Sequence, residues 1–366
     1  MKVPPLLSRY ISKNFFLSFL ATLFVLMALI LLFDTIELLR RSASKDYMTF
    51  ADVLNLGLLK LPQMVPLILP FAILIASLVT FYRLSRSNEL VIARSAGLSV
   101  WNFLMPVFLV VFLIGLFNVT LFNPFATIMQ QKFETVEGIK FQKNNNVSWT
   151  SKGLWLREKK GEEPVIIHAD SVRQVGTDLH LYGVSVLELT ALESLKRQIE
   201  APEGLLQNNL LKIDKGLSFN DLGEKKEEQN LIFPSDLSLE KIMQTFNEPE
   251  SFSVWQLPGF IHMLDDAGFS SVRHRMYFYS VLSSVFYLLA MVFIAAVFSL
   301  SPNQRSGNTL MKMTGAVLCG FILFFLSRLT FAFGTSGALP VILAAFGPSI
   351  VVIFVAATAL LHLEDG

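Results

Sequence analysis

The sequence contains one cysteine, few charged residues and no nucleotide-binding glycine loop. Cys319 is the only cysteine among 366 residues, so no intrachain disulfide stabilises the fold. Charged residues make up 16% of the chain and the formal net charge is +1, which excludes the Lys/Arg excess of a nucleic-acid-binding surface. The motif Gly-x-x-x-x-Gly-Lys-[Ser/Thr] is absent, and the chain therefore carries no P-loop of its own.

Residue patterns for covalent or metal chemistry are also missing. The five histidines are scattered, with no His-Glu-x-x-His pair, and no Gly-x-Ser-x-Gly nucleophile elbow occurs. We therefore predict a protein that is not itself an enzyme and that holds neither a metal nor a cofactor.

Hydrophobic residues, at 53% of the chain, are concentrated in six long stretches. Each is close to the roughly 20 residues that a helix needs to cross a hydrocarbon core of about 30 Å. The second stretch begins earlier than its most apolar part, because Leu54 to Leu69 is also apolar. The stretches are Phe15 to Phe33, Val65 to Phe81, Phe103 to Phe122, Tyr279 to Leu300, Thr314 to Phe333 and Val341 to Leu361.

This pattern predicts an α-helical membrane protein with six transmembrane helices (3+3) around a polar insert. We divide the chain into spans one to three at 1–124, the insert at 125–275, and spans four to six at 276–366. The first stretch is longer than a signal-peptide core and lacks a small-x-small cleavage site, so we interpret it as a retained span.

Lysine and arginine in the short loops predict the orientation of the spans. Basic residues precede span one and lie between spans two and three and between spans four and five, which places these loops and both termini in the cytoplasm. The insert then lies on the opposite side. Arg40 and Arg41, after span one, violate this bias.

The insert holds most of the ionisable groups, with 17 Lys/Arg and 22 Asp/Glu between residues 125 and 275. From Val147 to Phe233 it shows short alternating apolar runs separated by turn residues, which predict a small β domain, either a sandwich or a jelly roll. Residues 125–141 are expected to continue span three as a helix. Short helices are expected at Ser238 to Phe246 and at Leu257 to Gly268.

A polar segment of about residues 87–99, between spans two and three, has helix propensity. It places Leu90, Ala93 and Gly97 on one helical face. Such a helix suits a groove on a soluble partner, and it suits equally an interfacial helix lying on lipid.

Three arginines are candidate ligands for an anion. Glu37 has the spacing to pair with Arg40 or Arg41, so an ordinary interfacial anchor is one interpretation. The other is an anionic headgroup, because the planar arginine fork matches phosphate. Arg328 lies within span five, where a charge faces a partner or a wet cavity unless it extends to the nearby interface.

Several motifs resemble those of the LptF/LptG family, the permease subunits of the bacterial lipopolysaccharide exporter. The resemblance spans nearly the whole chain, and its motifs are individually weak but fairly specific in this order around a β insert. They are Ser87-Asn-Glu-Leu-Val-Ile-Ala-Arg-Ser-Ala-Gly, Trp255-Gln-Leu-Pro-Gly-Phe-Ile, Ala267-Gly-Phe-Ser, Ala290-Met-Val-Phe-Ile-Ala-Ala-Val-Phe-Ser-Leu, Gly337-Ala-Leu-Pro and Ala344-Ala-Phe-Gly-Pro.

The resemblance implies a permease in the inner membrane of a Gram-negative bacterium that extracts lipopolysaccharide and exports it toward the outer membrane. The expected partners are a second, LptF-like permease, an LptB-like ATPase dimer that binds the ATP, and the periplasmic proteins LptC and LptA. The insert would be a periplasmic β-jellyroll.

The resemblance also implies roles for particular residues. Glu89, Leu90, Ala93, Arg94 and Gly97 would belong to a coupling helix seated in the ATPase. Spans one and five would form lateral gates, and Arg40, Arg41 and Arg328 would lie near the phosphorylated sugars of the lipid.

Two details of the resemblance need explanation. Family members often carry a basic residue about two turns before Arg40, where this chain has Asp34. In the β domain, Leu154, Leu156, Leu179 and Leu181 are expected either to line a lipid path or to form plain core.

Two other functions fit the residues alone. One is the permease of another ABC exporter, for lipoprotein or a different lipid. The other is a membrane sensor or scaffold whose β domain binds an envelope ligand and whose cytoplasmic helix binds no ATPase.

Overall fold

The structure is a computed structural model of the whole chain, which divides into two compact units. The first comprises Met1–Lys140, Ser251–Leu257 and Val272–Gly366, and the second Phe141–Glu250 and Pro258–Ser271. The residues described are 5–42, 49–87, 89, 95, 99–141, 147–150, 153–160, 163–175, 178–189, 195–207, 210–220, 225–234, 248–266, 268–300 and 309–365.

The first unit contains six helices that are long and apolar enough to cross a membrane, counted over the described residues. They confirm the predicted six-span, 3+3 arrangement. Most extend beyond the apolar stretches, because polar residues continue the helix past the hydrophobic core. The helices are α1 (Pro5–Ser42), α2 (Phe50–Arg86), α3 (Val100–Phe117) with its continuation α4 (Asn123–Phe141), α6 (Val272–Ser299), α7 (Thr309–Thr335) and α8 (Val341–Asp365).

Local sequence sets where α2 and α3 begin. Thr49 caps α2 in a capping box, in which its side chain accepts from the Asp52 backbone N–H and the Asp52 carboxylate accepts from the Thr49 backbone N–H. The Ser99 side chain caps α3 by accepting from the Trp101 backbone N–H. The early start that the apolar run from Leu54 predicts for span two is confirmed by the first residue of α2, Phe50.

A five-residue π-helix, Asn118–Phe122, joins α3 to α4. The wider turn displaces backbone carbonyls from their usual partners, and such turns are often found at functional sites. Here α4 runs on to Phe141, which confirms the helical continuation of span three.

The core of the first unit lies where α2, α3 and α6 meet. Its fully buried side chains include Ile73, Phe81, Leu104 and Met291. By contrast α1, α7 and α8 bury only one side and expose large apolar residues such as Phe24, Phe325 and Phe354. In a membrane-spanning unit, surfaces of this kind contact lipid or another transmembrane subunit.

The second unit contains one antiparallel sheet whose seven strands follow one another in sequence order. This confirms a β domain in the insert. The strands are β1 (Val147–Thr150), β2 (Gly153–Lys160), β3 (Glu163–Val175), β4 (Asp178–Leu189), β5 (Leu195–Gln207), β6 (Leu210–Asn220) and β7 (Lys225–Pro234).

The alternation of buried and exposed residues shifts along a line that crosses the long strands of the sheet. In β3, for example, alternate residues are buried up to Ala169, two consecutive residues are then exposed, and burial resumes at Val172. Strands β4, β5 and β6 shift their alternation at the paired positions, and Gly183 adopts a φ of +64° there. Because side chains alternate with period two, this shift keeps the apolar residues of both halves facing one interior. The buried apolar residues on both sides of the shift accordingly belong to one core.

A short helix, α5 (Leu257–Asp266), completes the core of the second unit. It confirms the helix predicted at Leu257 to Gly268. Leu264 and Phe269 are buried among the apolar side chains of the sheet. The other helix predicted near the end of the insert, at 238–246, lies outside the described residues.

Candidate functional site

Two arginines and a glutamate form an ion-pair network at the end of α1. Glu37 accepts a hydrogen bond from Nη2 of Arg40 at 3.0 Å and another from Nε of Arg41 at 3.1 Å. These are the i+3 and i+4 pairs that the sequence predicts. Nη1 of Arg41 also lies 3.6 Å from Oε1 of Glu137 on α4, a contact between two helices.

Arg40 is the most exposed member of this network, with 78% of its side chain accessible. An arginine fork carries five N–H donors, and Glu37 uses only the Nη2 side of Arg40. Within the part of the chain that the structure describes, the remaining donors have no hydrogen-bond partner and can contact an anionic group.

An ion pair that the sequence analysis missed lies three turns into α2. The Lys60 ammonium pairs with the Asp34 carboxylate of α1, and both side chains are largely buried. The Phe133 ring of α4 has its centroid 5.9 Å from the same ammonium. Asp34 therefore ties α1 to α2, which gives the acidic side chain at this position a structural role.

The available signal for this pair was Lys60 itself, a lone charge in an apolar stretch. A charge at such a position requires a partner inside the protein. Its partner is 26 residues away in sequence, so only the packing of α1 on α2 identifies it.

Three cations near this end of the unit are paired with carboxylates. Lys60, Arg40 and Arg41 are paired with Asp34, Glu37 and Glu137.

Arg328 lies on a different helix, α7, and is exposed. Its guanidinium carbon is 5.3 Å from the centroid of the Phe324 ring one turn earlier. In the described part of the chain, the ion pairs that hold Arg40 and Arg41 do not include Arg328. The structure thus places Arg40 and Arg41 in one ion-pair network and Arg328 outside that network.

The predicted coupling segment follows α2, near the opposite ends of α1 and α2. Glu89 is the residue of this segment for which the structure shows a side-chain contact. Glu89 and Ser95 are helical, whereas Leu90, Ala93, Arg94 and Gly97 lie outside the described residues. The Tyr10 hydroxyl of α1 donates a hydrogen bond to Oε1 of Glu89 at 3.2 Å. The sequence analysis did not identify Tyr10, because no pattern indicates a contact between residues 79 positions apart.

Residues of the segment 251–255, which precedes α5, form hydrogen bonds with the π-helix and α4. The Asn123 side chain accepts from the Val254 backbone N–H at 2.8 Å, and the Trp255 indole N–H donates to the Thr120 carbonyl at 3.1 Å. Gln131 donates to the Ser251 carbonyl at 2.9 Å. The Thr120 carbonyl of the π-helix thus accepts a hydrogen bond from Trp255, whose side chain is otherwise exposed.

Helix caps explain residues of two sequence motifs, Trp255-Gln-Leu-Pro-Gly-Phe-Ile and Ala267-Gly-Phe-Ser. The Gln256 side chain accepts from the Ser253 backbone N–H, as in a capping box. After α5, Gly268 donates to the Asp265 carbonyl and Phe269 to the Leu264 carbonyl, with a φ of +78° at Gly268. That is a Schellman cap, which favours glycine and packs Phe269 against Leu264.

Four leucines of the β unit were expected either to line a lipid path or to form plain core, and the structure describes the side chains of two of them. Leu179 and Leu181 are buried in the core of the sheet, with 2% and 0% exposure, which favours plain core. The side chains of Leu154 and Leu156 lie outside what the structure describes. Over the described residues, no three His, Cys, Asp or Glu side chains converge in a way that could hold a metal ion.

Comparison with known proteins covers both units of the chain. The family model of the lipopolysaccharide export system permease LptF/LptG matches residues 9–362. The LptG permease protein of Escherichia coli strain K12 is 24% identical over 370 residues, spanning 94% of each chain. LptG of Haemophilus influenzae is 24% identical over 371 residues, spanning 95% of this chain and 96% of its own. Both of these relatives are named LptG.

The family match runs from the start of α1 to the end of α8. It therefore includes the six apolar helices and the β unit that interrupts them. This multi-pass membrane protein belongs to the LptF/LptG family of lipopolysaccharide export system permeases.

Proposed function

We propose that the protein is the LptG-type permease subunit of a lipopolysaccharide exporter in the inner membrane of a Gram-negative bacterium. The observation that carries this proposal is the family match over residues 9–362, which includes both helix triplets and the β unit. In this assignment the subunit moves the lipid, and a separate ATPase supplies the energy.

The proposed orientation places both termini in the cytoplasm and the β unit in the periplasm. Arg9 and Lys13 of α1 and Arg83 and Arg86 of α2 support it, because they lie at the helix ends assigned to the cytoplasm. At the opposite ends, the arginines after span one are paired with carboxylates.

The partners follow from surfaces that the chain leaves uncovered. The exposed apolar sides of α1, α7 and α8 suit a second permease of the same family together with the lipid acyl chains. The segment around Glu89 suits a groove on an ATPase dimer. The β unit would pass the lipid to the periplasmic proteins LptC and LptA.

Mass spectrometry of the tagged protein, purified in mild detergent from its native membranes, tests this assignment. We expect a second six-span permease, an ABC ATPase and lipid A to co-purify. An ATPase with a different lipid would change the cargo but keep the mechanism. Absence of any ATPase, under conditions that preserve a known ABC exporter from the same membranes, would refute the proposal.

Arg40 is the residue that we propose to bind the phosphorylated headgroup most directly. Its exposed donors fit phosphate, while Arg41 is held between Glu37 and Glu137 and positions the helix end. Arg328 would be a separate contact, on the face of α7. We expect Arg40→Gln to lower lipopolysaccharide binding about tenfold, the effect of losing one hydrogen bond between charged groups.

The measurement is photocrosslinking of radiolabelled lipopolysaccharide to the assembled complex. Arg83→Gln is the matched control, since it removes an exposed arginine from the opposite end of α2. Equal crosslinking of both variants and the wild type would show that Arg40 does not bind the headgroup.

A further inference from the structure

A side-chain hydrogen bond connects the start of α1 with the segment that follows α2. The Tyr10 hydroxyl donates to Oε1 of Glu89 at 3.2 Å, and 43% of Tyr10 is exposed. The acceptor is a carboxylate, and hydrogen bonds to ionised groups are stronger than those between neutral groups. Movement of Glu89 therefore acts directly on the beginning of α1.

The packing of α1 makes it suited to transmit such a movement. Near Tyr10 the helix is anchored by Ile11, Phe15 and Phe19, which are 0%, 0% and 4% exposed. Beyond them, Phe24 and Phe33 are 74% and 67% exposed, and the helix is next held where Asp34 pairs with Lys60 and Arg41 contacts Glu137.

The far end of the same helix carries Arg40. An α-helix rises 1.5 Å per residue, so Tyr10 and Arg40 lie about 45 Å apart on one rigid rod. A small tilt about the buried anchor at Ile11 to Phe19 displaces the two ends in opposite directions.

We propose that Tyr10 is a positioning residue that transmits movement of the Glu89 segment to α1. The inference rests on the proposed function, in which an ATPase acts on that segment. When nucleotide binding displaces Glu89, the hydrogen bond moves Tyr10 with it, and α1 tilts so that its Arg40 end changes position. Tyr10 contacts neither the lipid nor the nucleotide in this scheme.

The test uses the complete complex of both permeases and the ATPase, reconstituted in liposomes with lipopolysaccharide. The quantity measured is the amount of lipopolysaccharide delivered per ATP hydrolysed. We expect Tyr10→Phe to lower it about threefold, within the range of coupling changes that single residues produce. Complex assembly, melting temperature and the rate of ATP hydrolysis should stay at their wild-type values.

Tyr82→Phe is the matched control. Tyr82 lies near the same end of α2, and its hydroxyl makes no side-chain hydrogen bond to the described residues. This variant should deliver as much lipopolysaccharide per ATP as the wild type, because it removes an equivalent hydroxyl without removing the contact to Glu89.

Variants of Glu89 test whether Tyr10 acts through its hydrogen bond to Glu89. Glu89→Gln keeps an acceptor oxygen for Tyr10, whereas Glu89→Leu removes it. Adding Tyr10→Phe should therefore lower delivery per ATP further in the glutamine background and leave it unchanged in the leucine background.

Two results would overturn the inference while leaving the proposed function intact. One is a Tyr10→Phe complex that delivers as much lipopolysaccharide per ATP as the wild type. The other is an equal effect of Tyr10→Phe in both Glu89 backgrounds. A wild-type complex that hydrolyses ATP without moving lipopolysaccharide would instead refute the proposed function, and the inference with it.

Discussion

Replacing Asp34 with alanine is expected to destabilise the transmembrane unit by about 2 kcal/mol, because it leaves the Lys60 ammonium without its counter-ion. The Lys60 and Asp34 side chains are only 26% and 18% exposed. Removing one partner of a fully buried pair costs about 3–5 kcal/mol, and partial exposure reduces that cost. The expected readout is a lower melting temperature of the purified protein in detergent and less protein in the membrane.

A double variant distinguishes the effect of the unpaired charge from the effect of losing the contact between α1 and α2. The double variant Asp34→Leu with Lys60→Met removes both charges while keeping apolar volume between α1 and α2. It should recover most of the lost stability, since replacing an entire ion pair with apolar residues is often neutral. If the double variant melted as low as Asp34→Ala, the unpaired ammonium would not be the cause.

Replacing Gly334 with leucine is expected to destabilise the contact between α7 and α8 by about 1–3 kcal/mol, the usual cost of overpacking. A Cβ atom at Gly334 would lie 2.6 Å from Sδ of Met276 and 2.8 Å from Cβ of Ala344. The methionine can rotate away, but the alanine Cβ is fixed to the backbone of α8. The two helices would therefore have to separate.

Gly347 of α8 supplies the control for this prediction. A Cβ there meets only Cδ1 of Leu343, at 3.9 Å, which is ordinary van der Waals contact. Gly347→Leu should melt within error of the wild type, whereas Gly334→Leu should melt several degrees lower. Equal melting temperatures for the two variants would show that α7 and α8 do not approach closely at Gly334.

Helix number and the β character of the insert could be read from the sequence because both depend on local composition. A lipid environment requires each spanning segment to satisfy its own backbone hydrogen bonds, so about 20 apolar residues in a row specify a helix. Alternating residues specify a strand with one buried face. The continuation of span three to Phe141 was predictable for the same reason, although the π-helix within it was not.

The candidate sites were predicted less completely. The pairing of Glu37 with Arg40 and Arg41 follows from spacing along one helix, and the structure reproduces it. The link from Arg41 to Glu137 requires α1 and α4 to be neighbours, which no local pattern indicates. The shift of burial alternation across the sheet is similar, because only the pairing of the strands shows that their shifts line up.

The membrane class, the six spans, the β insert and the family follow from the order of the amino acids, because each depends on residues close together along the chain. The pairing of Asp34 with Lys60 and the hydrogen bond from Tyr10 to Glu89 depend on how the helices pack. In an apolar helix bundle a lone charged or polar side chain needs a partner, but the chain's path through the membrane determines which residue lies opposite it.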